Sequence, residues 1–176
     1  MEVRPMIRDL NNIPAFINNV DSILQATAEA VGQYLEGKIL DMIDEQGRGQ
    51  WEPLADSTIA QKGSSKSWEN KGGLRAQIAH RILTDGLGGT SIQVGIFESE
   101  YGYIAHLLEF GTDAYVIRPK EKKALNWRGL PHPVKEVHHP GIPERPLFRL
   151  TFDLEAENIE KLMAEELNRQ IDKYLL

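Results

Sequence analysis

The stretch "YIAHLLEFGTDAYVIRP", Tyr103 to Pro119, decides how the chain is read. Its first half is an apolar run that carries His106 and Glu109 one helical turn apart, so the two share a face. It breaks at Phe110-Gly111-Thr112, and a second short run ends at Pro119. The pattern predicts a short helix over "SEYGYIAHLLEFG", closed by Gly111 as its C-terminal glycine, and then a strand "AYVIRP" stopped by the proline. Two roles follow for the pair. In one, His106 is an acid/base group oriented by Glu109. In the other, Tyr103, His106 and Glu109 form a framework at the helix end. There Gly111 lets the chain turn, Thr112 bonds the turn and Glu109 reaches a nearby donor.

The acid/base role needs a nucleophile or a metal. The 176 residues include no cysteine, which removes thiol chemistry, disulfides and thiolate zinc sites. A helical zinc hydrolase would need His-Glu-x-x-His, and the chain has none. His132, His138 and His139 fall in a proline-rich segment. Adjacent residues of extended backbone point opposite ways, so His138 and His139 do not readily share one ion. A metal hydrolase built on His106, Glu109 and His139 is thus a weak alternative. There is no Gly-x-Ser-x-Gly elbow, and "GLGG" at 86–89 matches neither a P-loop nor a dinucleotide fingerprint. No catalytic constellation emerges. The expectation is a non-enzyme without cofactor or metal, in which the framework role holds.

Working outward, Val20, Leu24, Thr27, Val31, Leu35, Ile39 and Met42 recur at steps of three and four, which predicts one amphipathic helix over about 14–46. Gly32 and Gly37 inside it mark close packing or a bend. Residues 47–73 are turn-rich, with Trp51 and Trp68 as loop anchors and Asp56 or Ser57 as the cap of a short helix. Leu74 to Leu83 grades from helix into strand, "TDGLGGTS" reads as a hairpin turn, and "TSIQVGIF" places Ile92, Val94 and Ile96 on one strand face. "ALNW" and "HPVKEV" read as two arms of a further hairpin joined through Arg128 to Pro131. The proline-rich 138–146 segment reads as an extended, stiff arm, and a helix fills about 147–176. The fold class is α+β: one domain, with long N- and C-terminal helices on a mainly antiparallel sheet core over about 74–137.

Charge is uneven. The net charge is −6, yet residues 118–150 hold eight Lys and Arg against three Glu, between acidic N- and C-terminal segments. Acidic helices facing a basic segment, within one chain or between copies, account for this. A DNA-binding use of the basic 118–135 segment is the alternative. The apolar runs are too short to span a bilayer, and "MEVRPMIRDL", charged and broken by Pro5, is not expected to be a signal peptide.

Several pieces then line up in order: Trp51, Pro53, Leu54 and Thr58; Gly73 and Leu74; Val94 and Gly95; Tyr103 to Thr112 in part; Pro119, Lys120 and Lys122 to Leu125; His139, Pro140, Gly141, Arg145 and Pro146. This order resembles the tailed-bacteriophage family of virion morphogenesis proteins, the tail-completion or neck proteins that join or close the tail. Leu147 precedes Phe148 where the family pattern has Phe directly after Arg-Pro. The resemblance implies a structural subunit in a ring, often sixfold, at the head-proximal end of the tail. Its partners would be its own copies, the tail tube or tail terminator, and the head–tail connector, with DNA passing through the lumen unread. It would be assembled in the bacterial cytoplasm and carried in the virion, away from membranes. The resemblance makes Arg118, Lys120, Lys122, Lys123, Trp127, His139, Pro140, Arg145 and Pro146 the assembly candidates. Trp51, Pro53, Tyr103, His106, Glu109, Gly111 and Thr112 are the framework.

Overall fold

The structure, a computed structural model, describes residues 10–69, 73–85, 88–127 and 131–175. The N-terminal apolar stripe forms helix, but in two pieces, α1 (Ile13–Asn18) and α2 (Val20–Asp44), rather than one. The break has a local cause. Asn19 donates its side-chain Nδ2 to the Ala15 carbonyl at 2.7 Å, while its backbone N–H turns to the Phe16 carbonyl at 3.0 Å. The side chain thus takes the acceptor that a continuous helix would give to the backbone. Beyond it, Ile23, Thr27, Val31, Leu35, Ile39 and Met42 are buried along one side of α2.

Helix α2 is the central element. It packs on the hairpin of β1 (Ile78–Thr84) and β2 (Thr90–Ile96) and on the last helix, α6 (Phe148–Leu175). The hairpin is antiparallel, with Ile82 opposite Ile92 and His80 opposite Val94. Of its turn, residues 86 and 87 lie outside the described residues. Asp85 and Gly89 close it, through the Asp85 N–H to the Gly89 carbonyl at 3.1 Å and the Gly89 N–H to Asp85 Oδ1 at 2.8 Å.

Two polar clasps fix these layers. Tyr34 of α2 donates its hydroxyl to Glu155 Oε2 of α6 at 2.6 Å, and this bond with that of Asn158 holds the Glu155 carboxyl below its ordinary value. His80 sits between two carboxylates of α2, Nδ1 at 2.7 Å from Glu36 and Nε2 at 3.3 Å from Glu29. Gly32 makes room for that ring, since a Cβ there would overlap it. Gly37 meets open space, so only one of the two helical glycines marks close packing.

Residues between α2 and β1 form α3 (Asp56–Lys62) and α4 (Gly73–Ala76). Neither Asp56 nor Ser57 caps α3; Ala55 holds that position without a side-chain bond, and Asp56 lies in the first turn, where its charge suits the helix dipole. Trp51 and Trp68 are buried and join Ile39, Met42, Ile43, Leu74, Ile78, Ala105 and Leu147 in the core. Trp68 holds a left-handed backbone, φ 58°, rare for a bulky residue. Gln46 braces it: its Oε1 accepts the Ser67 N–H at 2.6 Å.

The expected single sheet is split. After α5 (Ser99–Phe110), β3 (Tyr115–Ile117) pairs antiparallel with β4 (Val137–His139) in a second, separate two-stranded ribbon. The expected hairpin of "ALNW" and "HPVKEV" is reduced to one bridge, Leu125 to Val134. Pro119, Pro131 and Pro133 flank it and cannot donate to a ladder. The connection through Arg128 to Leu130 lies outside the described residues. The class is α+β, and no described helix is long and apolar enough to cross a membrane.

Candidate functional site

Helix α5 ends where three other segments converge. Its last turn brings Glu109 inward, 4 % exposed, while His106 on the neighbouring row faces outward. The Glu109 carboxylate accepts three consecutive backbone N–H groups: Leu147 to Oε2 at 2.6 Å, Phe148 to Oε2 at 3.1 Å and Arg149 to Oε1 at 3.0 Å. These are the unpaired donors at the start of α6, where a negative charge is also favoured by the helix dipole. A side chain some forty positions upstream in the sequence therefore does the work of a local cap.

Arg149 closes the arrangement from outside. Its Nη2 donates to the Glu109 carbonyl at 2.8 Å and to Glu144 Oε2 at 3.0 Å, and its Nε stands 3.4 Å from Glu109 Oε1. Bonding to Glu144 raises the guanidinium above its ordinary value, and the Glu109 charge adds to this.

Gly111 and Gly141 let two chain segments meet face to face. The Thr112 N–H donates to the Ile142 carbonyl at 2.9 Å, and the Ile142 N–H reaches the Thr112 carbonyl at 3.2 Å and its Oγ1 at 3.0 Å. Both glycines have positive φ, 67° and 95°. A Cβ on Gly111 would stand 2.6 Å from the Ile142 carbonyl oxygen. Thr112 thus bonds a strand segment across the fold rather than its own turn.

The proline-rich segment, expected as an extended arm, is docked on the chain's own core at its C-terminal end. The Arg145 N–H donates to the Leu108 carbonyl at 2.7 Å. Its guanidinium, with the residue 3 % exposed, donates to the carbonyls of Glu52 at 3.1 Å, Pro53 at 3.1 Å and Pro143 at 3.2 Å. Burial lowers this guanidinium from its ordinary value, partly offset by the Glu52 charge. Trp68 Nε1 donates to the Arg145 carbonyl and Trp51 Nε1 to the Pro146 carbonyl, each at 3.0 Å. Arg145 and Pro146 are therefore members of the framework, and an interface role for Arg145 meets a guanidinium already committed inside the chain.

The other candidates lie apart from this node. Tyr103 is 66 % exposed, and His106 rests on the Phe110 ring with centroids 4.8 Å apart. His106 therefore belongs to the surface of α5, and its pairing with Glu109 along the helix does not become a contact. On the ribbon, His139 stacks on Tyr115 at 4.8 Å and accepts the Gly141 N–H on Nδ1 at 3.1 Å. Arg118 pairs with Glu136 at 3.1 Å; Arg118 and then His138 hold the Glu136 carboxyl below its ordinary value. Lys120, Lys122, Lys123, Trp127 and Pro140 are exposed, and among the described residues the three lysines make no ion pair. The residues that sequence reading missed are Arg149, Gln46 and the carboxylates around His80, because the contacts that give them a role, to Glu109, Ser67 and His80, join segments far apart in the chain.

Among the described residues, no three His, Asp or Glu side chains are placed to hold a metal ion. The chain matches no protein-family model, no curated protein and no solved structure, so its reading rests on this geometry.

Proposed function

We propose that the chain is a virion assembly subunit of the kind its sequence pattern resembles, a tail-completion or neck protein. It forms a ring at the head-proximal end of a phage tail and joins or closes it. One observation carries this reading. Eight residues of the resemblance, Trp51, Pro53, Glu109, Gly111, Thr112, Gly141, Arg145 and Pro146, come together in one node, where each touches another of them or the segment it holds. Glu109 is committed to the start of α6, so it does not orient His106 for acid/base work. What the node holds in place is the β3–β4 ribbon, with Tyr115 and Val116 exposed on its opposite faces and open to contact with other subunits.

Electron microscopy of particles made without this gene tests the reading. Full heads beside unjoined or misterminated tails are expected, with tail length separating termination from joining. Normal infectious particles would overturn it. Lys120, Lys122 and Lys123, exposed and without an ion pair among the described residues, favour a second reading, salt-dependent DNA binding through 118–135, which absence of binding at low salt would remove.

A further inference from the structure

Around helix α2 the other layers follow in a fixed order. At about 100° per residue, Glu29 and Glu36 fall together on the side that meets His80 of β1. Roughly a third of a turn away come Leu24, Val31 and Leu35, and roughly a quarter of a turn beyond them Tyr34, which meets Glu155 of α6. That middle row floors an open groove of about 400 Å³, with Ile92 of β2 on one side and Phe152 and Met163 of α6 on the other. Phe152 and Met163 are 39 % and 43 % exposed, so the lining reaches solvent.

The β2 side of the groove is a strand edge. β2 pairs with β1 on one side, and among the described residues no strand pairs with the other. Gly102 of α5 lies against the Ile96 carbonyl, so the open part of the edge runs from Thr90 to Val94. Such an edge leaves backbone N–H and C=O groups without a ladder partner. The hairpin runs along α2, since Thr84 and Ile82 lie by Gln25 and Glu29, and His80 lies by Gly32 and Glu36. From Leu24 to Leu35 the helix rises about 16 Å, which is also the length of about five residues of strand. The rim is acidic along α6. Asp153 and Glu160 follow Phe152, Ile159 and Met163 on the side away from α2. Both are exposed and make no ion pair among the described residues. On the hairpin, β2 turns neutral Ser91 and Gln93 outward, and Arg81 of β1 is engaged by Gln93 and the Phe97 ring.

We propose that the groove takes an extended strand of a partner protein as the third strand of the β1–β2 sheet, with apolar residues at alternate positions and Lys or Arg between them. Its backbone pairs with Thr90 to Val94. Its apolar side chains point down onto Leu24, Val31 and Leu35, between Ile92 and Met163. Its cations point outward beside Asp153 and Glu160. The described strands of this chain are already paired in two ribbons, so the occupant comes from a different protein. Main-chain bonds supply affinity, and the alternate side chains supply selectivity. The outward charges make binding salt-sensitive. The proposal goes beyond the ring reading and rests on the β2 edge and its groove, not on a phage origin.

The probe is a short fluorescent peptide of alternating lysine and valine, titrated with the full chain and read by anisotropy. Saturable binding is expected for it and not for the glutamate–valine counterpart, and D153K/E160K should reverse that preference. M163E, at a half-exposed position, should weaken binding several-fold with unchanged circular dichroism. Alternate N–H groups of a strand point to opposite edges. Of two peptides N-methylated at every lysine or at every valine, one should therefore lose binding and the other keep it. No saturable binding of the lysine peptide, equal binding of the glutamate peptide, or an equal effect of the two methylations would overturn the proposal. Self-association of the chain alone that M163E abolishes would make the occupant a second copy and overturn it too. Peptide binding of this pattern beside normal particles made without the gene would sink the tail reading and leave the groove standing. Defective particles without peptide binding would do the opposite.

Discussion

Replacing Glu109 by alanine separates the framework role from the acid/base role in energy. In the wild type, one buried carboxylate accepts three N–H groups and lies 3.4 Å from the Arg149 guanidinium. Hydrogen bonds to a charged group contribute about 1.5–3 kcal/mol each, but the three here share one acceptor and cannot be summed. Loss of a helix N-cap alone costs about 1 kcal/mol, and a buried donor left unsatisfied costs about 1–3 kcal/mol. The Leu147 N–H is the donor most affected, since that residue is fully buried. Arg149 keeps Glu144 and so is not stranded. Together these give about 3 kcal/mol for Glu109→Ala, a large part of the stability of an ordinary domain. For a chain of this size that lowers the melting temperature by roughly 6–12 °C. His106→Ala, at an exposed position, should change stability by no more than about 0.5 kcal/mol. Urea titration of the wild type and both variants decides the matter, with the midpoint read at unchanged slope. A cost below about 1 kcal/mol for Glu109→Ala, or an equal cost for His106→Ala, would refute the reasoning.

Arg145→Ala should act on folding first, costing about 2 kcal/mol because three carbonyls lose their common donor. Thermal melting of the isolated variant checks this, and a wild-type melting curve would return Arg145 to the surface candidates. His80 makes stability depend on pH. Its bond to Glu36 and the Glu29 contact raise its pKa against the opposing effect of burial, so the folded state binds the proton more tightly than the unfolded chain. Its contribution is full below the ordinary histidine value near 6.5 and is lost as pH rises through the higher folded-state value. Urea unfolding from pH 5 to 9 should show the advantage of wild type over His80→Gln shrinking as pH rises past that value. A constant difference over the range would count against the clasp.

The helices were legible because each carries its own signal. Thr27 to Met42 hold residues at helical steps that are buried on one side of α2. In α6 the spacing of Leu150, Leu154, Ile159, Leu162, Leu167 and Ile171 shows the helix but not its buried side, since Leu154 is exposed and Thr151, Glu155, Glu166 and Gln170 are buried. The β1–β2 hairpin was legible for the same reason, from the alternation of Ile92, Val94 and Ile96. The break at Asn19 was not, since Asn is tolerated in helices and only its bond to Ala15 shows it interrupting one. The proline-rich segment was read correctly as unable to form a helix, yet its docking depends on two indole N–H groups 77 and 95 positions away.

The sequence by itself therefore determined the long helical segments, the β1–β2 hairpin, the α+β class and the turn at Gly111. Those properties rest on interactions within a few residues. Only the tertiary structure decided what Glu109, Arg145 and the two tryptophans do, because each satisfies backbone groups of a segment far along the chain. A carboxylate one helical turn from a histidine in sequence looks like chemistry. The same carboxylate, turned inward against the first N–H groups of α6, is a structural anchor, and the choice between them depends on which partner the fold brings within 3 Å.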